Sequence, residues 1–205
     1  MISYPIKCLK ESGLVERIIV STDDEEIAEI AREEGAEVPF MRPAKLADDF
    51  TGTGAVTRHA IEWLIENDQK PDYICCVYAT TPLLDASYLK KGWESLQASD
   101  KQFAFSVTSF PFPIQRAIKM TNSGGVTPFY PEYIPMRSQD LEPAFHDAGQ
   151  FYWGRTEAFL DGSQMFSDDA IPIILPRYLV QDIDDEEDWM RAEFMYRAIR
   201  LKDIF

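Results

Sequence analysis

Asp182 and Asp184 are two carboxylates separated by one residue, standing between the run Arg177 to Val180 and the residues Trp189, Ala192, Tyr196 and Ile199, which recur at helical spacing. Tyr178 to Val180 reads as the end of a strand, so the order is strand, tight turn, helix. Residues two apart in a strand point the same way, and both carboxylates are therefore expected to face one point at a strand's carboxyl end. Such a pair suits Mg²⁺, which takes one or two protein carboxylates and fills its other sites with water and phosphate oxygens. The acids from Asp184 to Asp188 also lie where a helix N-terminus favours negative charge. Taken alone, the pattern fits helix capping as well as metal binding.

Other stretches carry polar groups that could meet a ligand. The loop from Arg42 to Gly54 is long for a connection and offers Arg42, Lys45, Thr51, Thr53 and two glycines. These groups suit a nucleotide's phosphates, ribose or base, and suit a surface loop with a helix cap at Thr53 equally well. Thr80 and Thr81 follow an apolar run and fall at its carboxyl end, where open α/β sheets bind ligands. Arg137-Ser138-Gln139-Asp140 is a polar turn, and His146 to Trp153 reads as a strand whose alternate residues could face a ligand.

The elements that must position these groups follow a βα rhythm. Met1 to Lys10 reads as a helix closed at Gly13. Arg17 to Ser21 is a continuous apolar run, expected as a buried parallel strand. Thr22 and Glu25 have capping-box spacing, and Ile27, Ile30 and Ala31 are expected on the inner face of the helix that follows. Ala36 to Phe40 reads as a short edge segment. A helix over Ala55 to Glu66 is expected to turn Val56, Ala60, Trp63 and Leu64 inward. Asp72 to Tyr78 is the most hydrophobic strand and the expected centre of the sheet. Asp85 caps a helix over Ala86 to Gln97. Strands follow at Phe103 to Thr108 and Ile171 to Leu175, with a short helix at Arg155 to Leu160 between them. Between Phe110 and Glu142 the rhythm breaks into a small β-rich excursion with exposed-looking aromatics, the composition of a partner surface or a lid.

The 205 residues suffice for one α/β domain, and 45% hydrophobic with 13% aromatic residues is a globular composition. A net charge of -15 argues against nucleic acid and against an anionic membrane surface as partners. No apolar run approaches the ~20 residues that cross a bilayer. The three cysteines, two of them adjacent, form no disulfide framework and no thiolate zinc site, and with no signal-peptide layout at the start the expected location is the cytoplasm.

In order and spacing, a set of segments resembles the CMP-sialic acid synthetase-like cytidylyltransferases, and within them the pseudaminate branch. The segments are Ile18 to Ala28, Arg42-Pro43, Tyr78 to Leu83, Phe110 to Arg116, Arg137 to Asp140, His146 to Trp153 and Val180 to Asp184. Phe-Pro-Phe-Pro-Ile-Gln-Arg and His-Asp-Ala-Gly-Gln-Phe-Tyr-Trp point to that branch. The resemblance implies a three-layer α/β/α, Rossmann-like nucleotide-diphospho-sugar transferase fold over residues 1–205, with a mostly parallel sheet and a small dimerisation excursion over 110–145. It implies transfer of CMP from CTP to an acidic nine-carbon keto sugar. Asp182 and Asp184 would hold Mg²⁺, Arg42 and Thr53 would meet the nucleotide, and Thr80 and Thr81 would lie near the sugar. Arg137, Gln139 and Tyr152 would meet the sugar acid, in a homodimer. Other keto-acid sugars are the alternative substrates, and a non-catalytic nucleotide- or partner-binding remnant is the alternative of another class. The family's first strand and its Arg-x-Gly-Ser-Lys phosphate loop have no counterpart here, because Met1 to Tyr4 aligns inside the first helix. A gap in the sheet and poor activity are the expectations that follow.

Overall fold

The computed structural model describes residues 1–202. Four strands form the main sheet: β1 (Tyr73–Val77), β2 (Phe103–Ser109), β5 (Phe145–Arg155) and β6 (Ala170–Leu175), in the order β1-β5-β2-β6. β5 is antiparallel to both of its neighbours, whereas β2 and β6 pair in parallel. The sheet is thus mixed, in place of the expected mostly parallel one. β1, β2 and β6 still run in one direction, so their carboxyl ends share one end of the sheet. β3 (Ile118–Met120) and β4 (Val126–Pro128) form a separate two-stranded sheet inside the irregular stretch after β2.

The helices are α1 (Ser3–Ser12), α2 (Glu25–Glu33), α3 (Thr53–Glu66), α4 (Ala86–Gln97), α5 (Thr156–Leu160) and α6 (Glu186–Lys202). On one face of the sheet, α4 and α1 deliver Leu89, Leu96 and Leu9 against Phe151, Trp153, Ala104 and Ile173. On the other face Phe103, Ile61 and Phe159 form one cluster, with Phe105, Val107 and Tyr152 beside it. This alternation along β2 and β5 is the two-residue period of a sheet covered on both faces.

Several expectations are corrected. Arg17 to Ser21 is not a ladder strand: it makes one isolated parallel bridge, Ile19 to Glu37, and packs through Ile18 against two core clusters. β1 is an edge strand rather than the centre, since among the described residues it pairs with β5 alone. It is half-buried along its whole length, and the four described strands of the sheet are contiguous. Tyr178 to Val180 does not end a strand; Arg177–Leu179 is a 3-10 turn leading into an extended Val180. The α2 cap is Asp24, whose side chain accepts from the Ile27 amide, not Thr22. The inner faces of α2 and α3 are also displaced: α2 buries Ala28 and Ala31 while Ile27 and Ile30 stay exposed, and α3 buries Thr57, Ile61 and Leu64. Thr53 opens α3 from the first helical position and is not its cap.

Candidate active site

β5 departs from regular strand geometry at Gly149, whose φ of 62° lies in the left-handed region that favours glycine. Across it, Phe105 pairs with Tyr152 and Val107 with Asp147, so β5 carries extra residues opposite β2. Residues five apart in a regular strand face opposite ways. The bulge cancels that, and the Tyr152 hydroxyl donates to Asp147 Oδ2 at 2.7 Å. The other Asp147 oxygen accepts the Gly149 amide at 2.9 Å. Ser106 fills the disrupted ladder: its Oγ accepts the amides of Gln150 and Phe151 at 3.3 and 3.2 Å.

A cleft of about 680 Å³ opens on this face of the sheet. Gly52, Thr53, Arg58, Tyr78, Asp147 and Tyr152 give it polar groups, and Cys76, Phe103, Phe159, Met165 and Phe166 give it apolar walls. The Thr53 hydroxyl donates to the Tyr78 hydroxyl at 3.2 Å, and the Tyr78 and Tyr152 rings lie 5.2 Å apart. Burial, followed by the bond to Asp147, pushes the Tyr152 phenol well above its ordinary range, so it stays protonated. Its one hydrogen is spent on Asp147. The cleft therefore sets acceptor oxygens at Asp147 and Tyr152 beside the Arg58 guanidinium, whose Nε donates to Phe159 O, above an apolar floor.

Asp182 and Asp184 follow the 3-10 turn after β6, in the segment leading to α6, and both are exposed. Helix capping falls to their neighbours. The Asp185 carboxylate accepts the Asp188 amide at 2.9 Å. Asp188 folds the turn back on itself, taking the Gln181 side-chain amide at 2.7 Å and the Asp184 amide at 3.3 Å. Among the described residues, the carboxylates of Asp182 and Asp184 have no protein donor and no ion-pair partner. No group of three or more His, Cys, Asp or Glu side chains able to hold a metal occurs among them either. Two carboxylates without a protein partner among the described residues are a donor set that Mg²⁺ accepts.

The remaining candidates separate. Arg42 donates to Asp23 Oδ1 at 2.8 Å, its amide donates to Thr22 O, and its Nε is buried without a partner among the described residues. The same bond holds the Asp23 carboxyl below its usual range. Thr81 is buried, with its hydroxyl donated to Tyr78 O at 2.8 Å, so it shapes the turn after β1; Thr80 is exposed. Arg137 and Gln139 are exposed beyond β4, and the Arg137 fork already grips Asp140 through contacts of 2.7 and 3.1 Å. Of the residues proposed from sequence, the cleft brings together Thr53 and Tyr152; Arg42, Thr80, Thr81, Arg137, Gln139, Asp182 and Asp184 are not among its lining. Sequence reading missed Tyr78, Asp147 and Arg58. Asp147 lies within the His146 to Trp153 segment, but the bulge concealed which way it faces; the glycine two residues later was the signal for the bulge.

A family model described as cytidylyltransferase matches residues 1–182. The chain is 40% identical over 198 residues, 97% of its length, to a pseudaminic acid cytidylyltransferase of Campylobacter jejuni, of which 85% is covered. It is 33% identical over 184 residues, 89% of its length, to a Helicobacter pylori protein named pseudaminic acid cytidylyltransferase and UDP-2,4-diacetamido-2,4,6-trideoxy-beta-L-altropyranose hydrolase, of which 35% is covered. Among solved structures, a CMP:2-keto-3-deoxy-manno-octonic acid synthetase complexed with CTP superposes with a TM-score of 0.59 over 98% of this chain and 88% of its own, at 10% identity. A 4-diphosphocytidyl-2C-methyl-D-erythritol synthase of Anaerococcus prevotii gives 0.60 over 97% and 88%, at 12% identity. At that identity the two establish the fold, a Rossmann-like α/β architecture with a mixed sheet. With its fold, its family model and its relatives in agreement, the chain belongs to the cytidylyltransferase family and is a nucleotidyltransferase.

Proposed function

We propose that the protein transfers CMP from CTP to a nine-carbon 2-keto sugar acid, pseudaminic acid, and releases pyrophosphate. The observation that carries this reading is the 40% identity across 97% of the chain to the C. jejuni enzyme of that name. The anomeric hydroxyl attacks the α-phosphorus. A new phosphorus–oxygen bond to the sugar forms, the bond to the oxygen bridging the α- and β-phosphates breaks, and the hydroxyl proton passes to solvent. Cytidylyltransferases of this kind typically use a divalent metal, and Asp182 and Asp184 would hold it here as Mg²⁺. When bound, the ion supplies charge neutralisation on the phosphates.

The chain's own groups supply position and selectivity. Arg42, with its unpartnered Nε, and Thr53 meet the nucleotide. Thr80 meets the sugar, and Thr81 holds the turn that presents it. Arg137 exchanges its Asp140 carboxylate for the carboxylate of the sugar acid, a bidentate match of the same geometry. Gln139 and Tyr152 meet the rest of the sugar. The cleft below Tyr152 takes an uncharged acylamino group, with its N–H toward Asp147 and Tyr152 and its methyl against the apolar wall. The excursion over 110–145 exposes Phe112, Ile118, Met120, Val126 and Phe129, and is the face offered to a second copy. No described helix is long and apolar enough to cross a membrane, in keeping with work in the cytoplasm on soluble substrates.

The test is CTP-dependent pyrophosphate release with a panel of keto-acid sugars. Pseudaminate should give the highest kcat/KM. A higher value for N-acetylneuraminate, legionaminate or an eight-carbon acid would replace the sugar in this reading, and no release with any of them would remove it.

A further inference from the structure

Gln150 is 3% exposed and sits where three parts of the site meet. Its carbonyl accepts the Tyr78 amide at 3.0 Å, fixing the end of β1. Its amide donates to Ser106 Oγ at the bulge. Its side-chain Nε2 donates to Leu179 O, the last residue of the 3-10 turn, three residues before Asp182. The loop from Val180 to Asp185 is thus held on the helix side by Asp188 and on the sheet side by Gln150. Its Oε1 is buried and has no partner among the described residues.

We propose that Gln150 is a positioning residue: it fixes the loop carrying Asp182 and Asp184 against the end of β1, so that the two carboxylates meet the nucleotide at a set distance from the cleft. The proposal rests on the reading of Asp182 and Asp184 as ion ligands. A primary amide is the side chain that serves here, because one end must donate to a carbonyl while the other remains an acceptor. A methionine fills the same length with neither function. A glutamate keeps the acceptor and, once ionised, loses the donor. The open Oε1 is available to a donor that arrives with the ligand or its water.

The experiment compares the wild type with Gln150→Met and Gln150→Glu by hydrogen exchange of backbone amides and by Mn²⁺ titration in the presence of CTP, read by electron paramagnetic resonance. In both variants, exchange across residues 176–186 should rise by about tenfold, roughly the equilibrium equivalent of one lost hydrogen bond. Exchange in β2 should stay within about twofold. Mn²⁺ affinity should fall about 10- to 100-fold, the usual effect of losing a group that orients metal ligands. Unchanged exchange over 176–186 in Gln150→Met would overturn the proposal. A uniform rise across β2 and the loop would also overturn it, by making Gln150 a general stabiliser. If the wild type binds no Mn²⁺ with CTP while the loop still loosens in both variants, the ion reading fails and the hold of Gln150 on the loop stands.

Discussion

The acids between Asp182 and Asp188 should divide cleanly into two roles, and Asp188→Ala set against Asp182→Asn and Asp184→Asn separates them. Asp188 accepts the Gln181 side chain at 2.7 Å in a partly buried setting and the Asp184 amide at a longer 3.3 Å. It also stands in the first turn of α6. A hydrogen bond to a charged acceptor contributes about 1.5–3 kcal/mol when buried, and partial exposure reduces this to about 1. The helix terminus adds about 0.3–1 kcal/mol. Asp188→Ala should therefore cost about 1.5–2 kcal/mol, which at about 2–4 °C per kcal/mol for a chain of this size lowers Tm by about 3–8 °C. Among the described residues the side chains of Asp182 and Asp184 have no protein partner, so their neutral amides should change stability by no more than about 0.5 kcal/mol. Those same two variants should lose at least about tenfold in affinity for Mn²⁺ with CTP. Thermal melts by circular dichroism and Mn²⁺ titrations on the three variants decide the matter. A fall in Tm for Asp184→Asn equal to that of Asp188→Ala would make the pair structural and refute the division.

Further outcomes follow from packing and chemistry elsewhere. Tyr152→Phe removes the donor to Asp147 and should raise the sugar KM about 5- to 30-fold while leaving that for CTP unchanged; an equal rise in both would make Tyr152 an organiser of the whole site. A methyl group at Gly154 would stand 2.6 Å from the Phe159 ring and 2.7 Å from Phe103, so Gly154→Ala should cost about 1–3 kcal/mol in a urea melt, and an unchanged midpoint would contradict the packing described. Burial pushes the Cys8 thiol up to about 12 and raises Cys75 and Cys76 as well. The native protein should then react slowly with a disulfide reagent at pH 8 and release all three thiols only in denaturant; a prompt native burst would contradict that. Light scattering at micromolar concentration should give twice the 23.5 kDa chain mass, and a clean monomer would remove the dimer from the proposal.

Much of the scaffold was legible because local signals and tertiary packing agree there. Asp85 before α4, the apolar runs of β2 and β6, and the break in rhythm after Phe110 are each dictated by a few neighbouring residues. The misreadings arise where partners decide. Arg17 to Ser21 and Tyr73 to Val77 are both apolar runs, but an apolar run does not state how many strands lie beside it, and these two do not pair with each other. On α2 the inner face belongs to the small Ala28 and Ala31 because α1 packs close, leaving the larger Ile27 and Ile30 outside. The candidate site shows the same limit. The two carboxylates before α6 were visible from spacing, whereas the Asp147–Tyr152 pair depends on the left-handed Gly149, which reverses the face that alternation would assign.

Cytidylyl transfer to the sugar's anomeric oxygen can be followed by phosphorus NMR of one reaction containing CTP, Mg²⁺ and pseudaminic acid, with a matched sample containing a chelator. The CTP signals should decline as a CMP phosphodiester and pyrophosphate appear in equal amounts, and the chelated sample should stay unchanged. Release of inorganic phosphate with CDP, or formation of CMP and pyrophosphate without the phosphodiester, would contradict it.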